Sequence, residues 1–93
     1  MAVLTDSAIQ AALANLPGWK RNGQAIERTF EFGDFKQAMA FVNNVADAAE
    51  LANHHPDIDI RYNKVKTSLV SHDSGGVTDR DVRMAAEINL VAG

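Results

Sequence analysis

His54-His55-Pro56-Asp57-Ile58-Asp59-Ile60-Arg61-Tyr62-Asn63-Lys64-Val65-Lys66-Thr67-Ser68-Leu69-Val70-Ser71-His72 carries the signals from which the fold is read. Ile58, Ile60 and Tyr62 alternate with polar residues, and Val65, Thr67 and Leu69 alternate again after Asn63-Lys64, which can turn the chain. Successive side chains of a strand point to opposite faces, so each run is a strand with one buried face and the pair is a hairpin. Ser68, Val70 and His72 occupy the other face of the returning strand. With the turn at Asn63-Lys64, residue i lies opposite residue 127 − i, and His55 faces His72. The chain's three histidines all lie between positions 54 and 72, and this register gathers them at one end of the sheet.

Upstream, Asn22-Gly23 is the dipeptide best suited to a tight hairpin turn. Ile26, Arg28, Phe30 and Phe32 then alternate with Ala25, Glu27, Thr29 and Glu31, a strand with a buried aromatic face. Gly33-Asp34 caps a helix whose apolar face is Phe35, Ala38, Met39, Val42, Val45, Ala46 and Ala49, widened by Phe41 and Ala48. That helix must lie across a sheet or at a subunit contact. It runs out near Asn53, because Pro56 disfavours helix before it. Thr5-Asp6-Ser7 starts a shorter helix through Ile9, Leu13 and Leu16, stopped by Pro17-Gly18. After the Ser74-Gly75-Gly76 loop, Thr78 and Asp81 form a capping-box pattern ahead of Val82, Ala85, Ala86 and Ile88. The order is α-ββ-α-ββ-α: an α+β two-layer sandwich, a four-stranded antiparallel sheet with three helices on one face.

The 93 residues leave room for one domain, 1–93, with 46% apolar and 23% charged residues, an ordinary globular balance. With no cysteine there is no disulfide framework and no thiolate for metal or nucleophile. The N-terminus has no basic leader segment, and no apolar run approaches a membrane span, so a cytoplasmic location is expected. Net charge is −3, with residues 1–46 neutral and residues 47–93 holding eight acids against five bases. Without a basic patch, neither nucleic acid nor an anionic membrane is an expected partner. A small neutral or aromatic ligand suits the balance.

Imidazoles titrate near neutrality, so a convergent set can supply both acid and base. Glu50 sits one helical turn before His54, and Asp81 opens the last helix, where a carboxylate can orient a ring. A lone histidine at such a junction is ordinarily a surface or satisfied residue; three with two acids at one end is a different case. Zinc ligation fits poorly, because adjacent His54 and His55 point to opposite sides of regular backbone and no i,i+2 or i,i+4 pair is present. Ser68, Ser71 and Ser74 lack a nucleophile elbow. Trp19 reads as a core or interface aromatic, or a flat wall for a planar ligand.

The string Glu50-x3-His54-His55-Pro56-x5-Tyr62-x9-His72-x8-Asp81 resembles the signature of the pterin-4a-carbinolamine dehydratase family. Leu16-x-Gly18-Trp19, Phe30-x-Phe32-x-x-Phe35-x-x-Ala38 and Gly75-Gly76-x-Thr78-x-x-Asp81 extend the resemblance over residues 13–90. Ser71 stands where a threonine often precedes the histidine, Val77 where a leucine is common, and Asn53 at a position that can be acidic. The resemblance implies the same sandwich and a hydro-lyase reaction: loss of water from 4a-hydroxytetrahydropterin to give quinonoid dihydropterin, recycling the cofactor of aromatic amino-acid hydroxylases. It implies His55 and His72 as the acid/base pair and His54 as the residue that holds or polarises the pterin. Glu50 and Asp81 are then the orienting acids, with Pro56, Ser71 and Asp73 shaping the pocket. No metal and no organic cofactor is implied, and a homodimer or homotetramer is. The alternative is a non-catalytic pterin-binding module, or an interaction module like the relatives that act as dimerisation partners of a transcription factor.

Overall fold

Each helix starts where a side-chain oxygen meets the free amides of its first turn. Thr5 accepts from the Ala8 amide at 3.1 Å and opens α1 (Asp6–Leu13). Asp34 accepts from the Gln37 amide at 2.8 Å and opens α2 (Phe35–Ala52). Thr78 and Asp81 close a reciprocal capping box at α3 (Asp79–Ala92). The computed structural model describes residues 2–93. Between the helices run β1 (Lys20–Asn22), β2 (Ala25–Glu31), β3 (Asp57–Arg61) and β4 (Lys64–Leu69), in the expected α-ββ-α-ββ-α order.

The strands form one antiparallel sheet in the order β1-β2-β4-β3, so the two hairpins meet through β2 and β4. Ile26 faces Leu69 and Phe30 faces Val65. All four are buried in one cluster with Ile9 of α1, Phe41 and Val45 of α2, and Met84 and Ile88 of α3. One cluster means one helical layer, the expected α+β sandwich. On the opposite face Glu27, Thr29 and Glu31 oppose Ser68, Lys66 and Lys64, the polar side of a half-covered antiparallel sheet. Among the described residues no helix is long and apolar enough to cross a membrane.

Both hairpins turn one residue away from the expected place. Asn22 pairs with Ala25, so Gly23-Gln24 form the first turn, with Gly23 at φ 61°. Arg61 pairs with Lys64, so Tyr62-Asn63 form the second, with Tyr62 at φ 54°. Positive φ at the first turn residue is what the primed hairpin turns demand. Paired residues of β3 and β4 therefore sum to 125, as in Asp57 opposite Ser68, and the expected pairing of His55 with His72 does not form. Asn63 sets this register. Its side-chain amide donates to the Phe32 carbonyl at 2.8 Å, and its carbonyl accepts from the Phe32 amide at 2.9 Å. A change of two in the sum leaves every side chain on its own face, so the buried set is unaffected.

The buried face of α2 is also rotated from expectation. Ala38, Phe41, Val45 and Ala49 are buried, whereas Phe35 is 50% exposed and Ala46 is exposed. Phe41 decides this, since its ring packs on Phe30 and Phe32 at centroid separations of 4.7 and 4.9 Å. Arg28 shares the inner face of β2 and escapes burial of its charge sideways. Its guanidinium lies 4.2 Å over the Phe30 ring and donates to the Pro17 carbonyl at 2.9 Å and to Asn89 Oδ1 at 2.7 Å. The same Asn89 oxygen accepts the indole N–H of buried Trp19 at 2.8 Å. Gly18 must stay bare here: at φ 85° an added Cβ would come within 2.4 Å of Arg28 Nε.

Asn89 thus joins the α1–β1 loop, β2 and α3. Asn89→Leu leaves the Trp19 donor unpaired and should cost about 1–3 kcal/mol. Thermal unfolding followed by circular dichroism should show Tm falling by roughly 4–8 °C for each kcal/mol lost.

Candidate active site

The end of α2 decides which way the histidines face. Asn53 caps the helix in the left-handed conformation (φ 51°), its amide donating to the Ala49 and Glu50 carbonyls. Asparagine tolerates that conformation, and the reversal takes His54 and His55 off the helical path. Helical spacing alone matched Glu50 to His54, but beyond Asn53 it no longer applies. Glu50 Oε2 instead meets His55 Nε2 at 2.5 Å, and His54 Nε2 meets Asp81 Oδ1 at 2.5 Å.

The two pairs sit in different surroundings. His55 and Glu50 side chains are 56% and 77% exposed, so water screens them and the pair adds little stability. His54 is 12% exposed and Asp81 is fully buried. Burying a carboxylate costs several kcal/mol unless its oxygens are filled, and here they are. Oδ2 accepts from Ser71 Oγ at 2.9 Å and from the Thr78 amide at 2.8 Å, leaving Oδ1 for His54. Removing the carboxylate removes a partner from all three.

His72 follows Ser71 in a turn closed by the pairing of Ser71 with Gly76. The Ser71 carbonyl holds that turn, accepting the Ser74 and Gly75 amides at 3.0 and 2.9 Å. The His72 side chain is exposed, and its ring makes no hydrogen bond among the described residues. Because Ser71 and His54 share the Asp81 carboxylate, the His72 turn and the His54-His55 junction lie together at one end of the sheet. Pro56 is half-buried at that junction. The Ser71 hydroxyl points inward to Asp81, so the segment offers its backbone and His72 outward.

Asp73 is held by Arg80, whose Nη2 donates to Oδ1 at 2.6 Å. The Arg80 guanidinium keeps the Asp73 carboxyl below its ordinary value, and Asp73 raises Arg80 in turn. Arg80 belongs to a feature that periodicity and spacing missed. A groove of about 610 Å³ between α2 and α3 is lined by Ala48, Leu51, Ala52, His54, Arg80, Arg83, Met84 and Glu87. Its walls come from two helices far apart in sequence, and only His54 belongs to the histidine motif. His55 and His72 are not among them. Among the described residues no three histidine, aspartate or glutamate side chains cluster as a metal site.

A depressed folded-state carboxyl stabilises at pH above its ordinary value and loses that contribution as pH falls through the lower, folded value. The Asp73–Arg80 tether should therefore hold through pH 3.8, the ordinary value, and release only below it. Carboxyl carbon NMR titration should give an Asp73 midpoint under 3.8. Arg80→Gln should bring it back up.

Comparison with known proteins identifies the family. The profile of the pterin 4 alpha carbinolamine dehydratase family matches residues 2–91. A protein of Koribacter versatilis (strain Ellin345), provisionally named pterin-4-alpha-carbinolamine dehydratase, is 62% identical over 88 residues, 95% of this chain and 94% of that protein. An Acidobacterium capsulatum protein with the same provisional name is 60% identical over 91 residues, covering 98% and 99% of the two chains. The crystal structure of a transcriptional coactivator/pterin dehydratase from Brucella melitensis matches at a TM-score of 0.94 and 40% identity, over 98% of this chain and 99% of that one. A pterin dehydratase-like protein identified as a RuBisCO assembly factor in the alpha-carboxysome shares the fold at a TM-score of 0.72 and 24% identity, over 82% and 90%. With its whole sandwich matched and the identity running nearly end to end, the chain belongs to the pterin 4 alpha carbinolamine dehydratase family.

Proposed function

We propose that this single-domain protein is a hydro-lyase that dehydrates 4a-hydroxytetrahydropterin to quinonoid dihydropterin, with imidazoles moving the protons. The observation that carries the reading is the seating of one carboxylate on Nε2 of each adjacent histidine, Glu50 on His55 and Asp81 on His54. A carboxylate on one ring nitrogen orients the imidazole and leaves the other nitrogen for the reaction.

In the dehydration the C4a–O bond breaks and its electron pair goes to oxygen. A general acid protonates that oxygen, which leaves as water. N5 gives its proton to a base, and the freed pair becomes the second bond between N5 and C4a. Nothing is oxidised or reduced, so the step calls for no redox cofactor; imidazoles supply the acid and the base, and the pterin is the substrate. His55 and His72 take the acid and base roles, and His54 holds the pterin. Pro56, Ser71 and Asp73 shape the approach through the backbone of the junction and the His72 turn. Such a reaction serves aromatic amino-acid hydroxylases in the cytoplasm, by a protein acting as a homodimer or homotetramer.

A second reading, a non-catalytic interaction module, draws on the coactivator half of the Brucella protein's name and on Leu51, 91% exposed at the rim of α2. Stopped-flow decay of chemically generated 4a-hydroxytetrahydropterin separates the two. Wild type should accelerate the decay, and His55→Ala or His72→Ala should each lose about 10²–10⁴-fold of that acceleration. Folded wild-type protein that leaves the spontaneous rate unchanged sinks the dehydratase and favours the module. Pretreatment with a chelator should leave the rate as it was; a loss would make the site metal-dependent.

A further inference from the structure

The hydrogen bonds around Asp81 run in one direction. Backbone N–H groups can only donate, and the carboxylate can only accept. The Arg80 amide donates to Thr78 Oγ1 at 3.3 Å. Ser71 Oγ spends its single proton on Asp81 Oδ2 at 2.9 Å. The Ser71–Thr78 hydroxyl contact, at 2.8 Å, must then be supplied by the Thr78 proton. A second donor, the Thr78 amide, reaches the same Oδ2 at 2.8 Å. With both donors on Oδ2, the ionised carboxylate presents Oδ1 as an acceptor that a donor must meet. The group that meets it is His54 Nε2, at 2.5 Å.

We infer that this chain, from the first amides of α3 through Thr78, Ser71 and Asp81, fixes His54 as the Nε2–H tautomer and makes its Nδ1 lone pair the atom offered to substrate. The inference rests on the dehydratase reading for the identity of that substrate. Nδ1 lies on the ring edge turned away from Asp81, and among the described residues it has no partner, while His54 walls the groove between α2 and α3. Neutral His54 therefore accepts a hydrogen bond and recognises an N–H of the reduced pterin; it does not donate to the pterin carbonyl. Ser71 and Thr78 are positioning residues. They touch no substrate and act through Asp81, which distinguishes them from a serine that lines the pocket.

Asp81→Asn inverts the arrangement. The Thr78 amide cannot reverse, so the asparagine carbonyl must face it and the NH2 must face His54. His54 Nε2 then becomes the acceptor, and the ring proton moves to Nδ1. Nitrogen-15 NMR of histidine-labelled protein reads this without any turnover. The wild type should show His54 protonated at Nε2 and bare at Nδ1 at a pH where the ring is neutral, and Asp81→Asn should show the reverse. A wild-type ring protonated at Nδ1, or an Asp81→Asn spectrum unchanged from wild type, overturns the inference. The wild-type spectrum alone decides if the variant does not fold.

Ser71→Ala should raise KM about 10-fold or more with little change in kcat, because His54 holds the pterin, and Ser71→Thr should restore it. Full activity in Ser71→Ala removes Ser71 from the chain. An inactive wild type with the expected tautomer would defeat the dehydratase reading and leave the tautomer assignment standing.

Discussion

Three elements end on the Asp81 carboxylate: the exit of α2 at His54, the chain after β4 at Ser71, and the N-cap of α3 at Thr78. A carboxylate without exposed surface is tolerable only when all its neighbours arrive together. The buried charge therefore acts as a positional constraint. Losing any one donor leaves part of it uncompensated, so the junction, the His72 turn and the start of α3 are held in one mutual arrangement. The capping box that an isolated helix would use to satisfy its own amides here serves the site as well.

The sequence was legible where a local rule decides the outcome. Period-two runs located the strands, Thr78 with Asp81 announced the cap of α3, and Asn53 and Pro56 marked where α2 must stop. Residues whose position is decided by a distant partner were misread. Asn63 turns the second hairpin a residue early because Phe32, on another strand, holds it by two hydrogen bonds. Phe35 looked like core by spacing, yet Phe41 owns the contact with Phe30 and Phe32 and rotates the helix accordingly. Glu50 and His54 looked like partners until the left-handed Asn53 broke the helical period between them. The groove beside His54 carried no local signal at all, since its walls are ordinary residues of two amphipathic helices.

The two acid–histidine pairs differ in environment. Glu50 and His55 stand in water, where a proton can come and go freely and the pair contributes little to the fold. Asp81 is fully buried and His54 nearly so, and the ring has one edge committed to the carboxylate. An exposed imidazole suits proton exchange, and a clamped one suits holding a planar ligand in register. His72, exposed on a turn closed by backbone hydrogen bonds, belongs with the first kind.

The sheet order bears on how the chain assembles the end of the sheet that carries the histidines. Each hairpin is local, but the seam between β2 and β4 joins residues 26–31 to 64–69, and the Asp81 bonds span 27 residues to His54. Contacts of that separation carry a loop-closure entropy that adjacent strands do not. Residues 1–46 hold one side of the central seam and residues 47–93 the other, while His54 and Asp81 both lie in the second half. The histidines and their acids lie together in residues 47–93, but the sheet beneath them is completed by β2 from the first half, so this end of the molecule is assembled only when both halves fold.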